Sequence, residues 1–143
     1  MEKLAPVGDV YQAGTLSGNP VSTAAGLATL RELDKAGVYE NLKLNTEKLS
    51  EGLNSVFSQP GIDVHIASVL GLLTVFFSSK DIVNFQDVTG CDNDKFKRFF
   101  QSMLASGIYL PPSPFEAWFL SIKHDDDIIG KTIEAADRAV KTL

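Results

Sequence analysis

The apolar positions repeat at helical spacing in four places and at strand spacing in two. The first helix opens at Asn19-Pro20, where Asn suits the N-cap and Pro the first helical position, whose N–H would be an orphan anyway. It runs through "VSTAAGLATLRELDKAG" to Gly37, and its small residues Ala24, Ala25, Gly26 and Ala28 predict close packing against another backbone. A second helix is expected from about Val38 to Phe57. Val38, Leu42, Leu49, Leu53 and Val56 share one stripe there, and Lys43, Glu47, Lys48 and Glu51 lie off it. Pro60 and Gly61 stop it. Ile62, Val64 and Ile66 then alternate with polar residues, and "LLTVFFSS" from Leu72 is a β-branched and aromatic run. With Gly71 between them, the two predict an antiparallel pair joined by a short turn. After a turn around Gly90, "DNDKFKRFFQSMLASG" reads as a helix capped by Asp92 or Asn93 and closed by Gly107, with Phe96, Phe99, Phe100, Met103 and Leu104 on its apolar face. A short strand beginning at Ile108, a proline-stiffened loop and a strand around Trp118 to Ile122 follow. The last helix starts within Asp125–Asp127, and its stripe is Ile129, Ile133, Ala136, Val140 and Leu143.

This order predicts an α/β chain. Residues 38–143 form a small α+β C-terminal domain, a three-stranded and mainly antiparallel sheet covered by helices, preceded by a linking helix. Met1 to Gly18 shows neither period, with Leu4, Val7, Val10 and Tyr11 spaced by Pro6 and Gly8. It reads as a connecting segment whose preceding structure is missing.

Composition narrows the function classes. The 143 residues are 44% hydrophobic and 22% charged, ordinary for a globular chain, and the net charge of −5 argues against a phosphate-binding basic surface for nucleic acid. No apolar run approaches the roughly 20 residues that span a bilayer, and "MEKLAPVGDV" lacks a signal-peptide layout. A single cysteine, Cys91, permits no internal disulfide and suits a reducing compartment. No base or cation beside it in sequence would activate its thiol.

The conventional catalytic sets are missing. His65 and His124 are far apart in sequence, and neither has metal-ligand spacing. The run Asp125-Asp126-Asp127 lacks the interleaved spacing of a hard-cation site and reads as first-turn acids favouring the helix dipole. No metal is therefore expected. Two stretches carry other possibilities. In "QAGTLSGNP", Gly14 and Gly18 permit inward-turned N–H groups, Thr15 and Ser17 add hydroxyls, and the helix start behind them offers free N–H groups. That is either a neutral-donor seat for a phosphate or simply a capped helix entry. In "PPSPFEAWF", Pro112 and Pro114 stiffen a loop that carries Glu116 among aromatic residues. This is either a carboxylate seeking a cationic partner or an exposed Glu beside an edge strand.

Both stretches resemble one family. "YQAGTLSGNPVSTAAGLATL" is similar to the segment that follows the pyridoxal-phosphate lysine in the glutamate-1-semialdehyde 2,1-aminomutases, and "GIYLPPSPFEAWFLSIKHDDDIIGKTIEAADRAV" is similar to their C-terminal end. These are class III aminotransferases of the fold-type I pyridoxal-phosphate group, and the run Ala-Gly-Thr-Leu-Ser-Gly-Asn-Pro is characteristic of the aminomutase branch. The resemblance covers essentially the whole chain. It implies conversion of glutamate-1-semialdehyde to 5-aminolevulinate, the tetrapyrrole precursor, in a cytoplasmic homodimer that acts on a small-molecule substrate with pyridoxal 5'-phosphate. It makes residues 1–37 a cofactor-phosphate loop and linking helix left over from a large domain. It places Gly14 and Thr15 at the cofactor phosphate of the neighbouring subunit, and Glu116 at an active-site carboxylate that pairs with an arginine and helps position substrate. Trp118 stands where many relatives are expected to carry a smaller residue, a hint of variation near the site. The family's cofactor-anchoring lysine would lie upstream of Met1, so the chain alone is expected to be inactive and not to retain the cofactor, as an expressed C-terminal fragment or a truncated reading frame. The alternatives are a portion of another class III aminotransferase, or a non-catalytic association domain.

Overall fold

A computed structural model describes all 143 residues. The chain divides into two compact units, Met1–Ala36 and Gly37–Leu143, and each is described by itself.

In the first unit, Leu4 and Val10 form an isolated parallel bridge, with Ala5 N–H donating to the Val10 carbonyl at 2.9 Å and Val10 N–H to the Lys3 carbonyl at 2.9 Å. Helix α1 spans Pro20–Leu33 and buries none of its residues. Its entry is specified locally: the Asn19 side chain accepts the N–H groups of Val21 and Ser22 at 3.0 and 3.1 Å, and proline follows at the first helical position.

The second unit is a helix-covered antiparallel sheet, and the α+β reading holds. Its elements are α2 (Val38–Phe57), β1 (His65–Val69), β2 (Leu72–Phe76), α3 (Phe85–Thr89), α4 (Asn93–Ala105), β3 (Trp118–Phe119) and α5 (Asp126–Val140). The sheet order is β1-β2-β3 with both pairs antiparallel. Val69 pairs with Leu72 across Leu70-Gly71, and Gly71 takes φ +81, the conformation that only glycine adopts without strain. The turn is pinned from two sides. Its Gly71 N–H donates to the buried Thr46 hydroxyl of α2 at 2.9 Å, and its carbonyl accepts Leu120 N–H at 2.8 Å.

Strand alternation sends Val75, Leu73 and Trp118 inward, with Leu73 opposite Trp118 in the β2–β3 register. There they meet Leu53, Phe57, Phe99, Met103 and the alanines of α5. Phe57, Phe77 and Phe99 form a triangle with centroids 5.5–5.8 Å apart. Helix α5 packs closely on α2 because Gly52 leaves the room that the Ile133 side chain fills.

Three local expectations change. No strand forms at Ile108. Its N–H instead donates to the Met103 carbonyl at 2.9 Å, while Gly107, at φ +83, donates to Leu104 at 3.0 Å, and together these close α4 as a Schellman motif. Leu104 turns away from the core and is 46% exposed. Helix α3 is an unforeseen element, built by a capping box between Asn84 and Asp87.

Candidate functional site

The two candidate stretches lie in different units. In the first, Gly14 and Thr15 share a turn in which Ser17 N–H donates to the Gly14 carbonyl at 3.1 Å. Asn19 N–H then donates to Leu16 at 3.0 Å, and Gly18 sits at φ +76. A Cβ at Gly14 would run into the Ser17 hydroxyl, so glycine there lets that hydroxyl lie close over the turn. The N–H groups of Gly14, Thr15, Leu16 and Gly18 donate to nothing within the chain, and all four residues are exposed. The helix start is another matter. Pro20 has no N–H, the Asn19 side chain takes those of Val21 and Ser22, and the Asn19 carbonyl takes that of Thr23 at 2.9 Å. The expectation that α1 adds free N–H groups is therefore corrected: its own cap consumes them. What remains is a set of loop amides plus the hydroxyls of Thr15 and Ser17, neutral donors suited to an anion.

In the second unit, Glu116 lines an open cleft of ≈ 470 Å³ together with Tyr109, Pro111, Pro112 and Phe119. The loop carrying it starts from buried Leu110 and ends at buried Trp118. Within it, the Ser113 hydroxyl accepts Phe115 N–H at 3.2 Å and the Ser113 carbonyl accepts Glu116 N–H at 3.2 Å. The Glu116 carboxylate is exposed and has no hydrogen-bond or ion-pair partner in the chain, so it is free to receive a cation or donor. Trp118, taken from sequence as a hint of variation near the site, is 6% exposed and belongs to the core.

The remaining candidates resolve into structure. His124 Nδ1 accepts Ser121 N–H at 2.8 Å and so fixes the turn before α5. His65 Nδ1 stands 3.8 Å from Asp81. Each carboxylate of the Asp125–Asp127 run has its own partner: Asp125 caps Ile128 N–H at 3.0 Å, Asp126 meets Lys48 at 2.6 Å, and Asp127 meets Lys131 at 2.5 Å. No group of three His, Cys, Asp or Glu side chains is gathered as a metal would need. Burial pushes the Cys91 thiol up from its ordinary value, and the Asp87 charge adds to this. No helix is long and apolar enough to cross a membrane. Sequence reasoning passed over Tyr109 at the cleft rim and Phe85, whose ring meets that of Phe115. The only sequence signal for Phe85 was the Asn84-x-x-Asp87 capping pattern.

The chain matches no family model. It is 46% identical over all 143 residues to a glutamate-1-semialdehyde 2,1-aminomutase of Desulfatibacillum aliphaticivorans, covering 100% of this chain and 34% of that protein. Its fold superposes on a glutamate-1-semialdehyde-aminomutase of Pseudomonas aeruginosa PAO1 crystallised in complex with PMP, with a TM-score of 0.80 and 16% identity over 95% of this chain and 31% of that one. It also superposes on an omega-transaminase of Sphaerobacter thermophilus, with a TM-score of 0.76 and 19% identity over 92% of this chain and 30% of that one. At these identities the superpositions speak for the fold alone. The chain thus spans about a third of the length of the relatives it matches. By sequence the chain is similar to the C-terminal part of a glutamate-1-semialdehyde 2,1-aminomutase, and its fold matches the corresponding part of an aminomutase and of a transaminase.

Proposed function

We propose that this chain is the C-terminal portion of a pyridoxal-phosphate-dependent glutamate-1-semialdehyde 2,1-aminomutase, a cytoplasmic homodimer that makes 5-aminolevulinate for tetrapyrrole synthesis. The observation that carries the reading is the 46% identity along the whole chain. The donor set of the Gly14 turn fits the phosphate of that cofactor: unclaimed amides of Gly14, Thr15 and Leu16, with the Thr15 and Ser17 hydroxyls beside them. When bound, the cofactor supplies the electron sink that lets an amino group move between adjacent carbons. Gly14 and Thr15 hold the phosphate of the neighbouring subunit's cofactor, which accounts for a turn that keeps its donors exposed. Glu116 receives an arginine from the rest of the enzyme and with it sets the substrate in the cleft. The single cysteine suits the reducing cytoplasm. These 143 residues bind and orient but supply no anchoring lysine for the cofactor, so the isolated chain is inactive and does not retain it.

The test is a chimera in which this chain replaces the matching segment of the Desulfatibacillum relative. Formation of 5-aminolevulinate from glutamate-1-semialdehyde is expected, at a rate within about tenfold of the parent, a loss of no more than about 1.4 kcal/mol in the barrier. A folded chimera that instead transfers amino groups to an external 2-oxo acid would assign the chain to another class III aminotransferase. A folded chimera with neither activity would leave an association role. Borohydride reduction that fixes a pyridoxyl group on the isolated chain would overturn its inactivity.

A further inference from the structure

The loop between Leu110 and Trp118 is buried at both ends and exposed in the middle. Leu110 and Trp118 are 5% and 6% exposed, whereas Phe115 is 52% exposed and Glu116 lies at the surface. Both hydrogen bonds inside the loop are local and run through Ser113. Pro111, Pro112 and Pro114 restrict φ but contribute no N–H. These features limit the shape of the turn but do not set its position over the cleft.

Phe115 supplies the missing long-range contact. Its ring lies against that of Phe85, with centroids 6.0 Å apart and planes tilted by 39°, within the range of favourable aromatic pairs. Phe85 is the first residue of α3, five residues that could not persist as a helix on propensity alone. The helix is held by other means. Asp87 Oδ2 accepts the N–H groups of Val83 and Asn84 at 3.0 and 3.1 Å, and Asn84 Oδ1 accepts Asp87 N–H at 3.2 Å. Just beyond it, Asp92 N–H donates to the Phe77 carbonyl at 2.9 Å, which ties this end to the strand side of the core. A short helix held by its own capping bonds therefore presents an aromatic ring that is itself 65% exposed, and its neighbour is the residue before Glu116.

We propose that Phe85 is a positioning residue for Glu116, acting through Phe115 to hold the 113–117 turn at one setting over the cleft. This rests on the reading that Glu116 serves substrate. Phe85 and Phe115 need not touch substrate; they remove the freedom that the Ser113 bonds leave.

The test is ¹⁵N relaxation on the full chain at the amides of Phe115, Glu116 and Ala117, in wild type, Phe85→Ala and Phe85→Tyr. In wild type and Phe85→Tyr the order parameters are expected near 0.85, falling to about 0.6 or below in Phe85→Ala. The Trp118 amide should stay unchanged in all three, which separates loosening of the turn from damage to the core. An unchanged Glu116 amide in Phe85→Ala, or one already mobile in wild type, overturns the proposal. In the chimera, Phe85→Ala should raise KM for glutamate-1-semialdehyde about three- to tenfold with a smaller change in kcat, and Phe85→Tyr should restore it. If Phe85→Ala loosens the turn but Glu116→Gln leaves KM and kcat untouched, the positioning stands and the role of Glu116 fails. If Glu116→Gln abolishes turnover while the turn stays rigid in Phe85→Ala, the role of Glu116 stands and the positioning fails.

Discussion

Thr46→Val removes one oxygen at the centre of the second unit. Thr46 is 2% exposed; its hydroxyl donates to the Leu42 carbonyl at 2.6 Å and accepts Gly71 N–H at 2.9 Å. Valine has nearly the same shape, so no cavity opens. The Leu42 carbonyl loses little, because it is also placed to accept the helical N–H of Thr46 itself. Gly71 N–H, however, is left buried without a partner, at a cost of about 1–3 kcal/mol. The added methyl returns about 0.8 kcal/mol by burial. The net loss is about 0.2–2 kcal/mol. At roughly 4 °C per kcal/mol for a unit of about a hundred residues, Tm should fall by roughly 1–9 °C. Thermal unfolding followed by circular dichroism measures that fall, and hydrogen exchange at the Gly71 amide identifies its cause. Thr46→Ser keeps the oxygen and should keep Gly71 protected even though it loses a buried methyl. If Thr46→Val were as stable as wild type with Gly71 equally protected, the hydroxyl would not be holding the turn. The effect should spread along one line, since the same turn's carbonyl accepts Leu120 N–H just after β3.

Gly52→Ala would gain about 1 kcal/mol in helix propensity, but its Cβ would strike Ile133, and overpacking costs about 1–3 kcal/mol. A lower urea midpoint is expected, partly recovered by adding Ile133→Val. Cys91 should alkylate more slowly at pH 8 than an unhindered thiol, because burial, aided by Asp87, holds it protonated. Its folded pKa lies above the ordinary 9.0, so the stability it contributes is fully present below that pH and is lost as pH rises through the folded value. Cys91→Ser should flatten that alkaline decline in an unfolding series. Asn19→Ala strips the cap from α1 at a cost of about 1 kcal/mol. Hydrogen exchange should then show faster exchange at the amides of residues 21–33.

The long elements were legible because burial imposes a period on them. Leu42, Leu49, Leu53 and Val56 mark α2, and Ile129, Ala136 and Val140 mark α5, since each must face the same core. The hairpin was legible from Gly71, whose positive φ few other residues tolerate. What escaped was set by bonds rather than by period. Five residues cannot display a helical repeat, so α3 showed only as its Asn84-Asp87 cap. Ile108 has strand chemistry, but its N–H is spent closing α4. At the Gly14 turn the cap residue Asn19 was legible, and its consequence was not drawn: a side chain that caps a helix uses the very donors an anion would want. The setting of Glu116 depends on Phe85, thirty-one positions earlier, a link that no local pattern reveals.

The Gly14 turn also bears on how strongly it can bind alone. Its donors are neutral, exposed and carried by a unit that buries none of its residues. Capture of a free anion there costs its translational freedom, and that cost offsets much of what a few hydrogen bonds to the ligand contribute. A phosphate already held by another polypeptide meets the same turn without bearing its own translational cost, so identical amides bind it far better. Inorganic phosphate titrated into the isolated chain should therefore shift the Gly14, Thr15 and Leu16 amide resonances without saturating below about 10 mM, a free energy weaker than about 3 kcal/mol. Thr15→Ala should leave that weak titration nearly unchanged, yet should speed cofactor loss from the chimera several-fold. Saturation at micromolar phosphate would mean that the turn is complete in itself, and the case for a seat shared between two chains would fail.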